Sequence, residues 1–163
     1  MAAHPHNRPH RVDATAGKFL YALYELLFSA DVALRVKQRT FETAAESKDS
    51  WRVVSISRAA LEQINDRKSA KDLRRGHMLS RRERAAHLFV RDAPLPQADL
   101  LSYFFDHDTV ALVTKSENAR HGCCHWSELL AVPAGLFTAG SFSIYVRQPE
   151  LAWVAQQMHV GVA

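Results

Sequence analysis

The sequence predicts an α+β fold, in which a small mixed sheet of three to four strands is packed by helices, with a long N-terminal helix. Apolar residues recur every three or four positions from near Thr15, which is typical of an amphipathic helix. Trp51 to Ile56 and Thr109 to Thr114 are rich in Val, Ile or Leu and have the length of strands. Helical segments separate these strands and no internal repeat is visible, so a sheet packed by helices is the most economical architecture.

The composition is that of an ordinary globular chain. The 163 residues are 47% apolar and 23% charged, with six glycines and six prolines. These proportions exclude the collagen-like, disulfide-scaffold and fully disordered classes. We predict that residues 1–13, which are polar and rich in His and Pro, form a flexible tail, and that residues 14–163 form a single domain.

The first helix is expected to begin near Thr15 and to be mostly buried. Neither glycine nor proline interrupts it after Gly17. Its apolar positions are Phe19, Leu20, Leu23, Leu26, Leu27 and Ala30. The residues that follow alternate between apolar and basic side chains, which also suits a strand, but we interpret them as further helix through Phe41.

The middle of the chain carries several helix-start signals. Ser57 follows the first predicted strand and caps a short helix through Ile64. Two more helices are predicted over about 69–75 and 81–91. The second begins with a capping box, in which the side chains of Ser80 and Glu83 each accept a hydrogen bond from a backbone N–H. A further helix over 98–105 follows two prolines.

The last third of the chain supplies the remaining strands. Thr109 to Thr114 is continuously apolar, which suits an interior strand covered on both faces. Ser141 to Arg147 alternates between apolar and polar residues and predicts a half-exposed strand. The stretch from Trp126 to Val132 is ambiguous, and Pro149 begins a final helix.

The positive charge of the chain is concentrated in one block. The formal net charge is +4. Residues 67–91 hold nine basic and two acidic side chains, a net +7, whereas residues 92–163 hold three basic and seven acidic ones, a net −4. A block of this sign attracts phosphate backbones, anionic lipid or acidic protein, and its field alone does not choose among them.

Residues 67–91 resemble a helix-turn-helix in outline, with two short helices joined by a turn and the second helix capped by Ser80. In that motif the start of the second helix enters the major groove, where guanidinium groups bind phosphate or guanine. The sequence therefore predicts nucleic-acid binding, to DNA or RNA, chiefly through phosphate contacts. The candidate residues are Arg74, Arg75, His77, Arg81, Arg82 and Arg84. The alternative interpretation is a solvated basic face.

A polar segment follows the predicted interior strand and carries the groups that a nuclease or phosphodiesterase uses. Metal-independent cleavage of RNA needs a general base, a general acid and a cation beside the phosphate. Candidate catalytic residues are Lys115, Glu117, His121 and His125. The alternative is a polar surface loop without catalytic function.

Metal binding is not predicted, and no cofactor is expected. His121, Cys123, Cys124 and His125 are all potential zinc ligands, but adjacent cysteines fit one tetrahedron poorly and the usual paired spacing is absent. Asp106, His107 and Asp108 are interpreted as residues at a helix end rather than as a proton relay.

The expected compartment is cytoplasmic. The two cysteines are adjacent and poorly placed to bridge distant segments, and the N-terminal residues do not have the pattern of a signal peptide. The longest apolar stretch, Phe19 to Phe28, is too short to cross a bilayer, so no membrane partner is predicted. The third hypothesis is a non-catalytic interaction subunit, whose long apolar first helix packs against a copy of itself, as a homodimer, or against another partner.

Overall fold

The structure is a computed structural model that describes residues 13–45, 51–66, 70–121, 126, 128–137 and 144–160. The chain divides into two compact units, which are described separately. The helical unit comprises residues 1–50 and 79–108, and the sheet unit comprises residues 51–78 and 109–163. The tail predicted at 1–13 lies outside the described residues except for Asp13, and the single-domain prediction stays a prediction.

The described residues form seven α-helices and four strands. They are α1 (Ala14–Ser29), α2 (Leu34–Ala45), β1 (Arg52–Ser57), α3 (Arg58–Asn65), β2 (Leu73–His77), α4 (Arg81–Phe89), α5 (Gln97–Asp106), β3 (Thr109–Thr114), α6 (Lys115–His121), β4 (Leu129–Ala131) and α7 (Gln148–Val160). The predicted α+β class, with a four-stranded mixed sheet and a long N-terminal helix, is confirmed. None of these helices has both the length and the apolar character needed to cross a bilayer.

The helical unit packs α1, α2, α4 and α5 around an aromatic core. The ring of Phe41 meets the ring of Phe104 edge to face, at 5.0 Å between centroids, and the ring of Tyr24 lies 5.4 Å from that of Phe89. The buried Tyr24 hydroxyl donates to the carbonyl of Leu88 and accepts from the N–H of Leu95. This hydroxyl therefore keeps both of its hydrogen bonds inside an apolar core.

The sheet unit is organised around β3, which is buried on both faces as predicted. The strand order is β2-β3-β1-β4, with β1 parallel to β3 and the two other pairs antiparallel. Val110 and Leu112 point into one core together with residues of α3 and α7, whereas Ala111 and Val113 pack on Trp126 on the opposite face. Alternation of side chains along one strand thus supplies both cores.

The prediction of a helix over 69–75 is wrong. A single 3₁₀ turn at Ala70–Asp72 leads directly into β2, which pairs with β3 over its whole length. Gly76 weakens a helix at this position, while the backbone N–H and C=O groups along one edge of β3 offer the segment a strand partner. The first helix of the predicted helix-turn-helix is therefore absent, because residues 73–77 form β2.

Three other predictions change in detail. The first helix does not run on to Phe41, because the chain leaves helical geometry after Ser29 and begins α2 at Leu34. Residues 144–147 form no strand, and residues 141–143 of that predicted strand lie outside the described part of the chain. The ambiguous stretch near Trp126 contains β4, a short edge strand.

Gly76 is required by close packing against the indole of Trp126. A Cβ built at residue 76 would overlap the six-membered ring of that indole. The backbone of β2 therefore approaches the indole more closely than any side chain would allow. This packing joins an edge strand to the smaller of the two sheet cores.

We expect Gly76→Ala to destabilise the protein by about 1–3 kcal/mol, because the added methyl group forces the indole or the strand to move. Urea unfolding measures the decrease in stability. Combining Gly76→Ala with Trp126→Leu should cost less than the sum of the two single changes, since the smaller side chain leaves room for the methyl group. Strict additivity would show that the two residues do not compete for the same space.

Candidate nucleic-acid interface

The basic block of residues 67–91 is shared between the two units. Arg74, Arg75 and His77 lie on β2 of the sheet unit, whereas Arg81, Arg82 and Arg84 lie on α4 of the helical unit. Over the full sequence the helical unit has eleven basic and eleven acidic side chains, and the sheet unit has ten basic and six acidic ones. The whole net charge of +4 therefore belongs to the sheet unit.

Arg84 is not a surface cation. Its side chain is 1% exposed, and its guanidinium donates from Nη2 to Oε1 of Glu42 at 2.6 Å and from Nη1 to Oδ1 of Asp108 at 2.7 Å. The same group lies 4.8 Å from the ring centroid of Phe104. A guanidinium held by two carboxylates inside a core is not placed to reach a phosphate, so Arg84 is not part of the surface described below.

Arg81 and Arg82 lie in the first turn of α4 and have different surroundings. The Arg81 side chain is 42% exposed, with its Nε 3.7 Å from Oε2 of Glu42, and Arg82 is exposed. The predicted capping box is confirmed, because Ser80 Oγ accepts from the N–H of Glu83 and the Glu83 carboxylate accepts from the N–H of Ser80. A carboxylate at this position offsets the unfavourable field that the helix dipole exerts on the two arginines.

Two arginines of α2 lie on the same unit as Arg81 and Arg82, and the sequence analysis did not identify them as candidates. Arg35, Arg39 and Glu42 are spaced four and three residues apart, so they lie on one side of the helix, and both arginines are exposed. Glu42 contacts Arg81, so the Glu42 end of the stripe lies beside the first turn of α4, and Arg39 and Arg35 lie successively further along α2. We call Arg35, Arg39, Arg81 and Arg82 the arginine surface.

The two helices that carry the arginine surface run antiparallel. Nζ of Lys37, near the start of α2, lies 6.0 Å from the ring of Phe89 at the end of α4, whereas Glu42 contacts the first turns of α4. The four-residue spacing of Arg35 and Arg39 indicates in the sequence that both lie on one side of a helix. The search for basic residues was restricted to residues 67–91, where the charge density is highest, and so did not include them.

The basic residues of β2 are held close to the sheet. Nη1 of Arg74 donates to the carbonyls of Lys71 and Leu73, at 2.6 and 2.7 Å. Arg75 is paired with the core residue Leu112, and burial lowers the pKa of its guanidinium. The imidazole of His77 meets the indole of Trp51 edge to face, at 5.9 Å between centroids.

The polar segment after β3 begins with a second capping box. The N–H and the hydroxyl of Thr114 both donate to Oε2 of Glu117 at 2.8 Å, and the N–H of Glu117 donates to Oγ1 of Thr114 at 3.2 Å. Residues 115–121 form α6, so the interpretation of this segment as a loop is wrong for these residues. The threonine and glutamate three residues apart were a local signal for this helix.

Glu117 also joins the ends of two parallel strands. The fully buried Ser57, the last residue of β1, donates from Oγ to the same Oε2 atom at 2.8 Å. One carboxylate oxygen thus accepts three hydrogen bonds that hold α6 to β1 and β3. This places Glu117 in the packing of the sheet unit, while Lys115 is exposed.

The remaining candidate catalytic residues and the potential zinc ligands are not all among the described residues. The side chain of His121 and residues 122–125, which include Cys123, Cys124 and His125, lie outside the described part of the chain. Among the side chains that the structure places, no three His, Cys, Asp or Glu residues gather in a group able to hold a metal ion. Asp108 instead binds Arg84.

Comparison of this chain with protein-family models, with curated proteins and with solved structures finds no match.

We expect Arg84→Met to destabilise the protein by about 3–5 kcal/mol, because it removes the guanidinium that binds the buried carboxylate of Asp108 and the partly buried carboxylate of Glu42. Urea unfolding checks this result. Arg82→Met is the matched control, since Arg82 lies in the same helix but is exposed, and it should change stability by no more than about 0.5 kcal/mol. Equal effects of the two changes would contradict a structural role for Arg84.

Glu117→Ala should cost about 1–3 kcal/mol in unfolding free energy, because Ser57 and Thr114 lose their shared acceptor. Glu117→Gln keeps an acceptor oxygen and should retain most of that stability. Lys115→Ala, in the same helix and exposed, is the control. If the alanine variant of Glu117 were as stable as the unaltered chain, the carboxylate would not be needed for packing.

Proposed function

We propose that the protein binds nucleic acid through phosphate contacts made by the arginine surface of the helical unit. The observation that supports this is the exposure of Arg35, Arg39 and Arg82, for which the described residues offer no carboxylate at ion-pairing distance. Their charge is therefore available to an external anion, unlike that of Arg84.

The arrangement of the cations favours a polyanion over a single small anion. The four guanidinium groups are spread along the outer sides of two antiparallel helices, with about one helical turn between neighbours on α2. Each planar fork fits two phosphate oxygens, and separate exposed forks suit a chain of phosphates better than one phosphate group. Such contacts carry affinity without reading the base sequence.

The cations of β2 have a smaller part in this proposal. Arg74, Arg75 and His77 stay predicted contacts of the sheet unit, but each is partly buried, and Arg74 and His77 also contact neighbouring groups. Phosphate binding by these residues would require the side chains to leave those positions. The helical unit is therefore the place where binding is tested first.

The test is a salt titration of binding to fluorescently labelled duplex DNA and single-stranded RNA of equal length. Combined replacement of Arg35, Arg39 and Arg82 by alanine should weaken binding and reduce the slope of log K against log salt by roughly one unit for each phosphate that the variant no longer binds. The matched control is Arg58→Ala, which removes an arginine of the sheet unit that pairs with Glu62 and should leave the slope unchanged.

Two results would contradict the proposal. One is a slope that does not differ between the triple variant and the unaltered chain. The other is stronger binding to a polyglutamate peptide than to either nucleic acid, because an acidic protein would then be the better partner for the same arginines.

A further inference from the structure

Helix α1 leaves an apolar stripe exposed to solvent. Phe19 is 60% exposed and Leu26 is 69% exposed, and the exposed Ala22 lies between them at a spacing of three and four residues. The helix buries its opposite side through Gly17, Leu20, Tyr24 and Leu27. The prediction that this helix is mostly buried is therefore wrong for one of its two faces.

Two opposite charges lie along one edge of this stripe. Lys18 and Glu25 are both exposed and are seven residues apart, so they lie on the same side of the helix, two turns from one another. Thr15, Phe19, Ala22 and Leu26 take the positions of a short heptad seam, and Lys18 and Glu25 take equivalent flanking positions beside it.

We propose that the α1 stripe packs against the α1 stripe of a second copy of this chain, with the two helices antiparallel. In a two-fold contact each pair of residues occurs twice. An antiparallel arrangement brings Lys18 opposite the partner's Glu25, and Glu25 opposite the partner's Lys18. The same register sets Phe19 against the partner's Ala22, and Leu26 against the partner's Thr15.

Charge and size both favour this occupant. In a parallel in-register pair, Lys18 and Glu25 would instead lie beside the partner's Leu23 and the partner's Ala30, which carry no charge, so no ion pair would form. In the antiparallel register each large apolar side chain meets a small one, as close packing requires. The helix is thus complementary to itself in one orientation only.

The two segments that flank helices α1 and α2 in the sequence fit the stripe less well. Residues 1–13, which precede α1, contain Met1 and Val12 as their only large non-proline apolar side chains. Residues 46–50 are Glu, Ser, Lys, Asp and Ser. Neither segment supplies apolar side chains at helical spacing to cover Phe19 and Leu26. The contact area of one helix per copy is small, so the proposed dimer is a weak one.

Sedimentation equilibrium of the full chain, at several concentrations in the micromolar range, tests the proposal. We expect a monomer–dimer equilibrium that Leu26→Ser weakens about tenfold or more. Val90→Ser is the matched control, because Val90 is 68% exposed in the same helical unit but lies outside α1, and it should leave the equilibrium unchanged.

A charge swap tests the orientation. Lys18→Glu alone sets like charges opposite each other, as does Glu25→Lys, and each should weaken the dimer severalfold at low salt. The double variant, with Lys18→Glu and Glu25→Lys, restores opposite charges in both pairs and should recover the dimer. A monomer at all concentrations, or no recovery in the double variant, would overturn the proposal, and circular dichroism confirms that each variant is folded.

Discussion

The ion pairs of Arg84 join three segments of the helical unit that are far apart in the sequence. The guanidinium lies on α4, Glu42 lies on α2, and Asp108 follows α5. Burial of three charged groups is unfavourable unless each of them finds its partner, so the pairs form only when these segments adopt one arrangement. That arrangement also sets α2 beside α4 and leaves the other arginines of both helices on the outside.

Local signals in the sequence predicted most of the helices and the central strand. Ser57 and Ser80 each begin a helix as predicted, because a cap depends on residues three positions apart. The continuous apolar run of β3 predicted a strand covered on both faces. The segment at 69–75 was predicted wrongly, since its strand geometry depends on β3 about forty residues later and on the indole of Trp126.

The candidate interface could be predicted only in part, because charge counting treats all arginines alike. Arg82 and Arg84 are two residues apart on one helix, yet one is exposed and the other is enclosed by two carboxylates. Which of them meets Glu42 depends on the packing of α2 against α4, which is not a property of either segment alone. The amphipathic pattern of α1 similarly predicted a helix but not the exposure of Phe19 and Leu26.

Both units are discontinuous in the sequence, and this affects how the chain can fold as it is synthesised. The helical unit is not complete until residue 108 has been made, and β1 has no parallel partner until Thr109 and the rest of β3 follow. Pairing between segments so distant requires a long loop to close first, which slows folding. Newly made α1, α2 and β1 thus lack part of their final packing until about fifty further residues have been synthesised. During that interval their apolar surface is open to aggregation or to chaperones.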